Sequence, residues 1–159
     1  MANTYTQITI HIVFAVKKRE NIIKKSFREE LYKYITGIIQ NKSQKLLAIN
    51  GVADHIHILV GLEPSMALSD LVRDIKNNSS KFINEKRFVA GKFQWQEGFG
   101  AFSYSRSQRQ KVIAYIESQE EHHKRTTFRE EYLKILQKFD IEYNEKYVFE
   151  FYDDIQSDE

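Results

Sequence analysis

A chain of 159 residues suits one domain with a real hydrophobic core, and the absence of cysteine removes disulfides and thiolate metal sites and makes an intracellular location the default. No apolar run is long enough to span a bilayer, and Met1-Ala2-Asn3-Thr4 lacks a signal peptide's charged start and apolar stretch, so the expectation is a soluble, cytoplasmic protein with no membrane partner. The net charge of +2 hides an asymmetry: residues 140–159 carry eight acidic side chains against Lys146 alone, whereas the other 139 residues hold 23 basic and 14 acidic ones, a balance suited to a polyanionic partner such as nucleic acid.

Residues 7–16 alternate Ile8, Ile10, Ile12 and Phe14 against Thr9, His11, Val13 and Ala15, which predicts a strand with one strongly apolar face. Lys17-Lys18-Arg19 closes it. Ser26-Phe27-Arg28-Glu29 has the spacing of a capping box, and Phe27, Leu31, Tyr34, Ile35, Ile38 and Ile39 continue at helical period. Leu46–Val52 and His55–Leu62 read as two strands joined by a tight turn at Ala53-Asp54. Pro64-Ser65 should open a second helix with Leu68, Leu71, Val72, Ile75, Phe82 and Ile83 as its core stripe. The stretch 87–100 is turn-rich and aromatic, and 101–105 is a fourth strand. Ser107 can cap the helix carrying Tyr115, and Thr127-Phe128-Arg129-Glu130 looks like a capping box for a last helix ending near Phe139. The whole of 1–159 reads as a single domain, with 140–159 an acidic C-terminal tail.

The βαββαβ order predicts an α+β fold: a ferredoxin-like (RRM-like) two-layer sandwich on an antiparallel sheet, with extra C-terminal helices. Alternate residues on a strand share a face, so Ile56, Ile58 and Val60 should meet the core helices, leaving His55 and His57 on the opposite face. His11 has the same parity on the first strand and can sit near them.

The chemistry is concentrated in two short patterns, His55-Ile56-His57 and Tyr115-Ile116-Glu117-Ser118-Gln119. The histidine pair can aim two imidazoles at one point. On a helix, Tyr115 and Gln119 are neighbours about 6 Å apart along the axis. Together they offer two nitrogen ligands, an amide oxygen and a phenol nucleophile. A third alternating histidine, as in histidine-nucleophile phosphohydrolases, is missing because that position is Leu59. Three neutral ligands should bind a divalent ion modestly until a phosphate oxygen joins, and imidazole suits manganese better than magnesium. His122-His123 ranks lower as a ligand source because adjacent helical residues diverge by about 100°. Lys17, Lys18, Arg19, Arg73, Lys76 and Arg106 are candidate nucleic-acid contacts, and Phe93, Trp95 and Phe99 candidate platforms for unpaired bases.

With these residues in order, the chain resembles the single-tyrosine HUH transposases of the smallest bacterial insertion sequences. The likeness runs from His11 through Asp54-His55-Ile56-His57 and Trp95-Gln96-Glu97-Gly98-Phe99-Gly100 to Tyr115-Ile116-Glu117-Ser118-Gln119. It implies an enzyme that cleaves and rejoins single-stranded DNA at hairpins of its element's ends, through a 5′-phosphotyrosine link. By motif position Tyr115 would be the nucleophile, and His55, His57 and Gln119 the Mg²⁺ or Mn²⁺ ligands. It also implies a homodimer with shared active sites, Tyr115 of one chain facing His55 and His57 of the other. Two rival readings are a non-catalytic nucleic-acid binder on an RRM-like sheet and a metal-dependent phosphodiesterase using water.

Overall fold

The computed structural model of the protein describes residues 3–144. Four strands, β1 (Thr9–Ala15), β2 (Lys45–Gly51), β3 (His55–Gly61) and β4 (Gly100–Tyr104), form one sheet in the order β2-β3-β1-β4 with every pairing antiparallel. This is the ferredoxin-like order predicted from the βαββαβ sequence. Helices α1 (Lys25–Asn41) and α2 (Leu68–Lys86) fill the two crossovers. They bury Leu31, Ile35, Ile39, Leu71, Val72, Ile75 and Ile83 against Ile12, Phe14, Ile56, Ile58 and Val60. The parity read from the sequence therefore holds on both central strands.

The C-terminal helices α3 (Arg109–Glu117), α4 (Gln119–His122) and α5 (Phe128–Lys138) cover the other face. There Val112 and Ile116 pack on Ala48 and Leu59, while Phe128, Ile135 and Leu136 pack on Val13, Ala15 and Phe102. His11, His55 and His57 lie in this second interface and are fully buried.

Several local expectations change. The capping box at Ser26 is not formed: α1 starts two residues earlier, with Lys24 at its N-cap and no side-chain cap. The entry is organised instead by the buried Arg28, whose Nε and Nη2 donate to Ile23 O at 3.2 and 2.7 Å. Pro64 and Ser65 stay in the preceding turn and α2 begins at Leu68. Phe82 leaves the buried stripe and stacks on Tyr34, ring centroids 4.1 Å apart. Ser105, not Ser107, forms the capping box before α3, with Gln108. The predicted Thr127 cap is present, its Oγ1 accepting from Glu130 N at 3.2 Å. Phe93 and Trp95 are core residues, Trp95 Nε1 donating to Ser79 Oγ at 2.9 Å, so neither is a free stacking platform; Phe99 alone of the three is exposed. Of the acidic tail, only residues 140–144 are described, and Tyr143 packs against the α5 cluster; the remainder lies outside the described residues.

Candidate active site and metal centre

The register of the central strands sets out the site. His57 lies opposite Val13 of β1, two residues from His11, and opposite Asn50 of β2. His55 Nδ1 donates to Asp54 Oδ1 at 2.7 Å, and His57 Nδ1 pairs with His11 Nε2 at 2.7 Å. Each ring is thus held at one nitrogen, and each Nε2 faces the same interior point. This is how ligating histidines are usually oriented, through a partner on the far nitrogen.

Tyr115 and Gln119 reach that point from a broken helix rather than the single helix expected. α3 ends at Glu117, Ser118 leaves helical geometry at φ −95° and ψ 18°, and α4 restarts at Gln119. Asn50 secures the break: its Nδ2 donates to Ile116 O and Glu117 O, both at 3.0 Å. Those carbonyls are among the last of α3, where the helical ladder runs out of donors. Gln119 is fully buried with Oε1 3.3 Å from His55 Nε2, and the half-buried Tyr115 ring stands 5.8 Å from the His57 ring centroid. All four predicted site residues are therefore brought together within one chain.

The centre of the cluster is a residue the sequence reading missed, Glu131 of α5, which is 2% exposed. Its Oε1 lies 3.2 Å from His55 Nε2, 3.1 Å from His57 Nε2 and 3.0 Å from His123 Nε2. Its Oε2 accepts hydrogen bonds from the Tyr115 hydroxyl and, at 3.1 Å, from Gln119 Nε2. A signal was present: Glu131 interrupts the apolar stripe Phe128, Ile135, Leu136 at a position one helical turn from Phe128, where a carboxylate needs a partner. His123, ranked lower as a ligand on angular grounds, lies past the end of α4 at His122, so the helical divergence does not govern it.

Electrostatics follow from this burial. Desolvation pushes His57 down to about 4 and His11 well below its usual value. His55 is raised despite its burial because Asp54 and Glu131 accept from it. Burial works against the Glu131 carboxylate too, yet hydrogen bonds from His123, His55 and His57 hold it far below the usual carboxylate range. Burial, and then the Glu131 charge, push the Tyr115 phenol above its ordinary value. Tyr115 rests protonated.

The donors suit a divalent ion. The ligand atoms of His55, His57, His123 and Glu131 all lie within 4.8 Å of one another. Neighbouring ligands with bonds of about 2.1 Å sit about 3.0 Å apart on a six-coordinate ion and about 3.4 Å apart on a four-coordinate one. The 3.0–3.3 Å spacings found here fall in that interval.

Two basic openings flank the cluster. A cleft of about 720 Å³ runs past Asp54 and His123, with Arg19, Lys25, Lys124 and Arg125 on its walls. A cavity of about 300 Å³ has Tyr115 and Glu131 in its wall beside Lys111, Lys134 and Lys138. Of the predicted nucleic-acid contacts, only Arg19 lines either of these, 3.9 Å from Asp54. Lys17 and Lys18 are exposed just before it, and Arg106 is exposed in the turn before α3. Arg73 and Lys76 belong to α2, across the sheet from the histidines. Arg73 pairs with Asp70 and Asp74 at 3.1 and 3.4 Å, and Lys76 Nζ donates to Gln96 O and Gly98 O at 2.6 and 2.8 Å. No helix among the described residues is long and apolar enough to cross a membrane.

Comparisons with known proteins bear on the family and the fold. The ISDra2 transposase TnpA of Deinococcus radiodurans is 23% identical over 118 residues, covering 71% of this chain and 84% of that protein. The transposase for insertion sequence element IS200 of Salmonella typhimurium is 29% identical over 86 residues, covering 54% of this chain and 57% of its own length. Two solved structures share the fold. The crystal structure of a candidate transposase from Deinococcus radiodurans superposes with a TM-score of 0.60 at 20% identity, over 75% of this chain and 95% of that one. A REP-associated tyrosine transposase bound to a REP hairpin gives 0.56 at 15% identity, over 74% and 70%. The family model for IS200-like transposases matches residues 4–119, most of the chain and both halves of the His-Tyr constellation. The chain belongs to the IS200-like transposase family.

Proposed function

We propose that the protein cleaves and rejoins single-stranded DNA at the ends of an insertion element, with Tyr115 as nucleophile and a Mg²⁺ or Mn²⁺ ion held by His55, His57 and Gln119. The observation that carries this is the convergence of the Tyr115 hydroxyl, the Gln119 amide and two imidazole Nε2 atoms on one carboxylate. A nucleophile and a set of ion donors within reach of one group are what tyrosine-mediated phosphoryl transfer needs.

The phenolic oxygen attacks the scissile phosphorus and the bond to the 3′ oxygen breaks. The 5′ phosphate stays on Tyr115 and the other fragment keeps a free 3′-OH. One phosphodiester replaces another, so rejoining needs no external energy. The Tyr115 hydroxyl donates its hydrogen bond to Glu131 Oε2, which gives the phenolic proton an acceptor as the new bond forms and lets it pass on to the departing 3′ oxygen. A bound divalent ion supplies Lewis-acid polarisation of the phosphate. Lys111, Lys134 and Lys138 beside Tyr115 favour entry of a phosphate chain into that cavity.

The test is incubation with single-stranded oligonucleotides from the flanks of the encoding gene, hairpins included, with Mn²⁺ or Mg²⁺. A protein–DNA adduct on denaturing gels is expected, and Tyr115→Phe should lose it while keeping its DNA affinity. Cleavage by Tyr115→Phe would remove Tyr115 from the chemistry. Cleavage by the parent without an adduct would favour a water-using phosphodiesterase. A simple RRM-like binder is disfavoured because α3 and α5 cover the sheet face such a protein would offer to bases.

The homodimer with exchanged Tyr115 helices has its own test. Tyr115→Phe and His57→Ala chains, each inactive alone, are mixed. Exchange restores up to about half of the sites, as two-fold symmetry dictates. Inactive heterodimers mean that each chain uses its own Tyr115, the outcome favoured by the short path from Tyr115 to its own His57.

A further inference from the structure

We infer that Glu131 and His123 are ligands of the divalent ion, so that one carboxylate joins the metal to the nucleophile. This rests on the function proposed above and extends its donor set. Both residues lie beyond Gln119, where the family match ends, His123 just past α4 and Glu131 on α5.

The geometry of Glu131 divides its work. Oε1 faces the three Nε2 atoms of His55, His57 and His123, at 3.0–3.2 Å. Oε2 faces Tyr115 and Gln119 on the other side. An ion received among the Nε2 atoms and Oε1 leaves Oε2 free to keep its bond to the Tyr115 hydroxyl. Distance from nucleophile to metal is then fixed by a single rigid planar group rather than by the separate rotamers of α3 and β3.

Charge gives a second reason. His55, His57 and Gln119 are neutral ligands, and all three are fully buried. A doubly charged ion among them would be almost uncompensated where water is excluded, which is costly. Glu131 halves that charge before any DNA arrives. Three imidazoles and one carboxylate also favour Mn²⁺, Co²⁺ or Zn²⁺ over Mg²⁺, which prefers oxygen and keeps its water. Gln119 Oε1, 3.3 Å from His55 Nε2, brings the donors to five, and a six-coordinate ion then retains one position for a phosphate oxygen.

The experiment measures Mn²⁺ binding to the DNA-free, full-length protein by electron paramagnetic resonance and calorimetry. Glu131→Gln and His123→Ala should each weaken binding by about tenfold or more, on the scale that even outer partners of a metal site command. His57→Ala serves as the reference for a lost ligand. If Glu131→Gln and His123→Ala bind like the parent while His57→Ala does not, this inference falls and the three-ligand reading stands. If His57→Ala also binds like the parent, the underlying reading falls with it. A variant that does not fold is bypassed by pulsed resonance on the Mn²⁺-loaded parent, which counts coordinated imidazoles: three are expected, and two overturn the proposal.

Discussion

Asn50 offers a test of how the fold delivers Tyr115. It is not one of the proposed metal donors, yet its Nδ2 bonds to Ile116 O and Glu117 O at 3.0 Å and holds the end of α3 where the helix breaks. Asn50→Ala removes both bonds. A neutral hydrogen bond contributes about 0.5–1.5 kcal/mol net, and one of these two is solvent-exposed, so the loss should be about 1–2 kcal/mol. For a chain of this size that lowers Tm by about 2–8 °C. Asn50→Asp should cost more, because a carboxylate oxygen then confronts two carbonyl oxygens that had been receiving a donor. The functional effect should exceed the thermodynamic one. Freed at its C-terminal end, α3 lets Tyr115 and Gln119 drift, and misplacement of about 1 Å can cost a hundredfold in rate. Differential scanning calorimetry and the adduct assay would be run on the same preparations. Parent-like cleavage by a folded Asn50→Ala would refute the idea that this anchor sets the nucleophile's position, and an Asn50→Asp protein more stable than Asn50→Ala would refute the donor assignment.

Other outcomes follow from contacts already described. His11 holds His57 Nδ1, so His11→Ala should weaken Mn²⁺ binding by about 10–100-fold without removing a ligand, readable by calorimetry. Gly51 faces the backbone of the next strand: a Cβ there would collide with His55 O and come within 3.0 Å of Ile56 Cα. Gly51→Ala should therefore destabilise by about 1–3 kcal/mol in urea melts, since backbone cannot yield as a side chain can. Removing residues 145–159 takes away six acidic side chains and one basic one while sparing Tyr143. If the tail competes for the basic clefts, single-stranded DNA should bind more tightly, most visibly at low salt. Unchanged binding by a folded truncation would end that idea.

What could be read from the sequence was what depends on parity and order. The alternation in 55–60 assigned His55 and His57 to the face away from Ile56 and Ile58, and the βαββαβ order was enough for the strand arrangement. Gln119 was found by its spacing from Tyr115 even though the continuous helix behind that spacing is interrupted at Ser118. Glu131 went unnamed and His123 ranked low because their role is tertiary: it depends on α5 folding back over β1 and β3, and the break in the apolar stripe at Glu131 does not say what that carboxylate meets. The aromatic segment 87–100 misled for a related reason. Phe93 and Trp95 look like exposed ring platforms beside glycines, but that segment turns inward and its backbone is tied to Asn84 and Ala15. Basic residues were visible everywhere, and only the packing separates Arg19, at the mouth of the site, from Arg73 and Lys76 on the far layer.

The two faces of the sheet are held by different kinds of cohesion, and this shapes how the molecule should breathe. On the α1–α2 side a single large aliphatic and aromatic cluster binds helices to strands. On the α3–α5 side two smaller apolar clusters flank a polar hub of histidines and one glutamate. Regions with less buried apolar surface open first in native-state hydrogen exchange. The amides of α3, α4 and α5 should therefore exchange well before those of β1, β3 and α1, as one cooperative unit that lifts while the rest of the domain stays folded. Added Mn²⁺ should slow that exchange selectively.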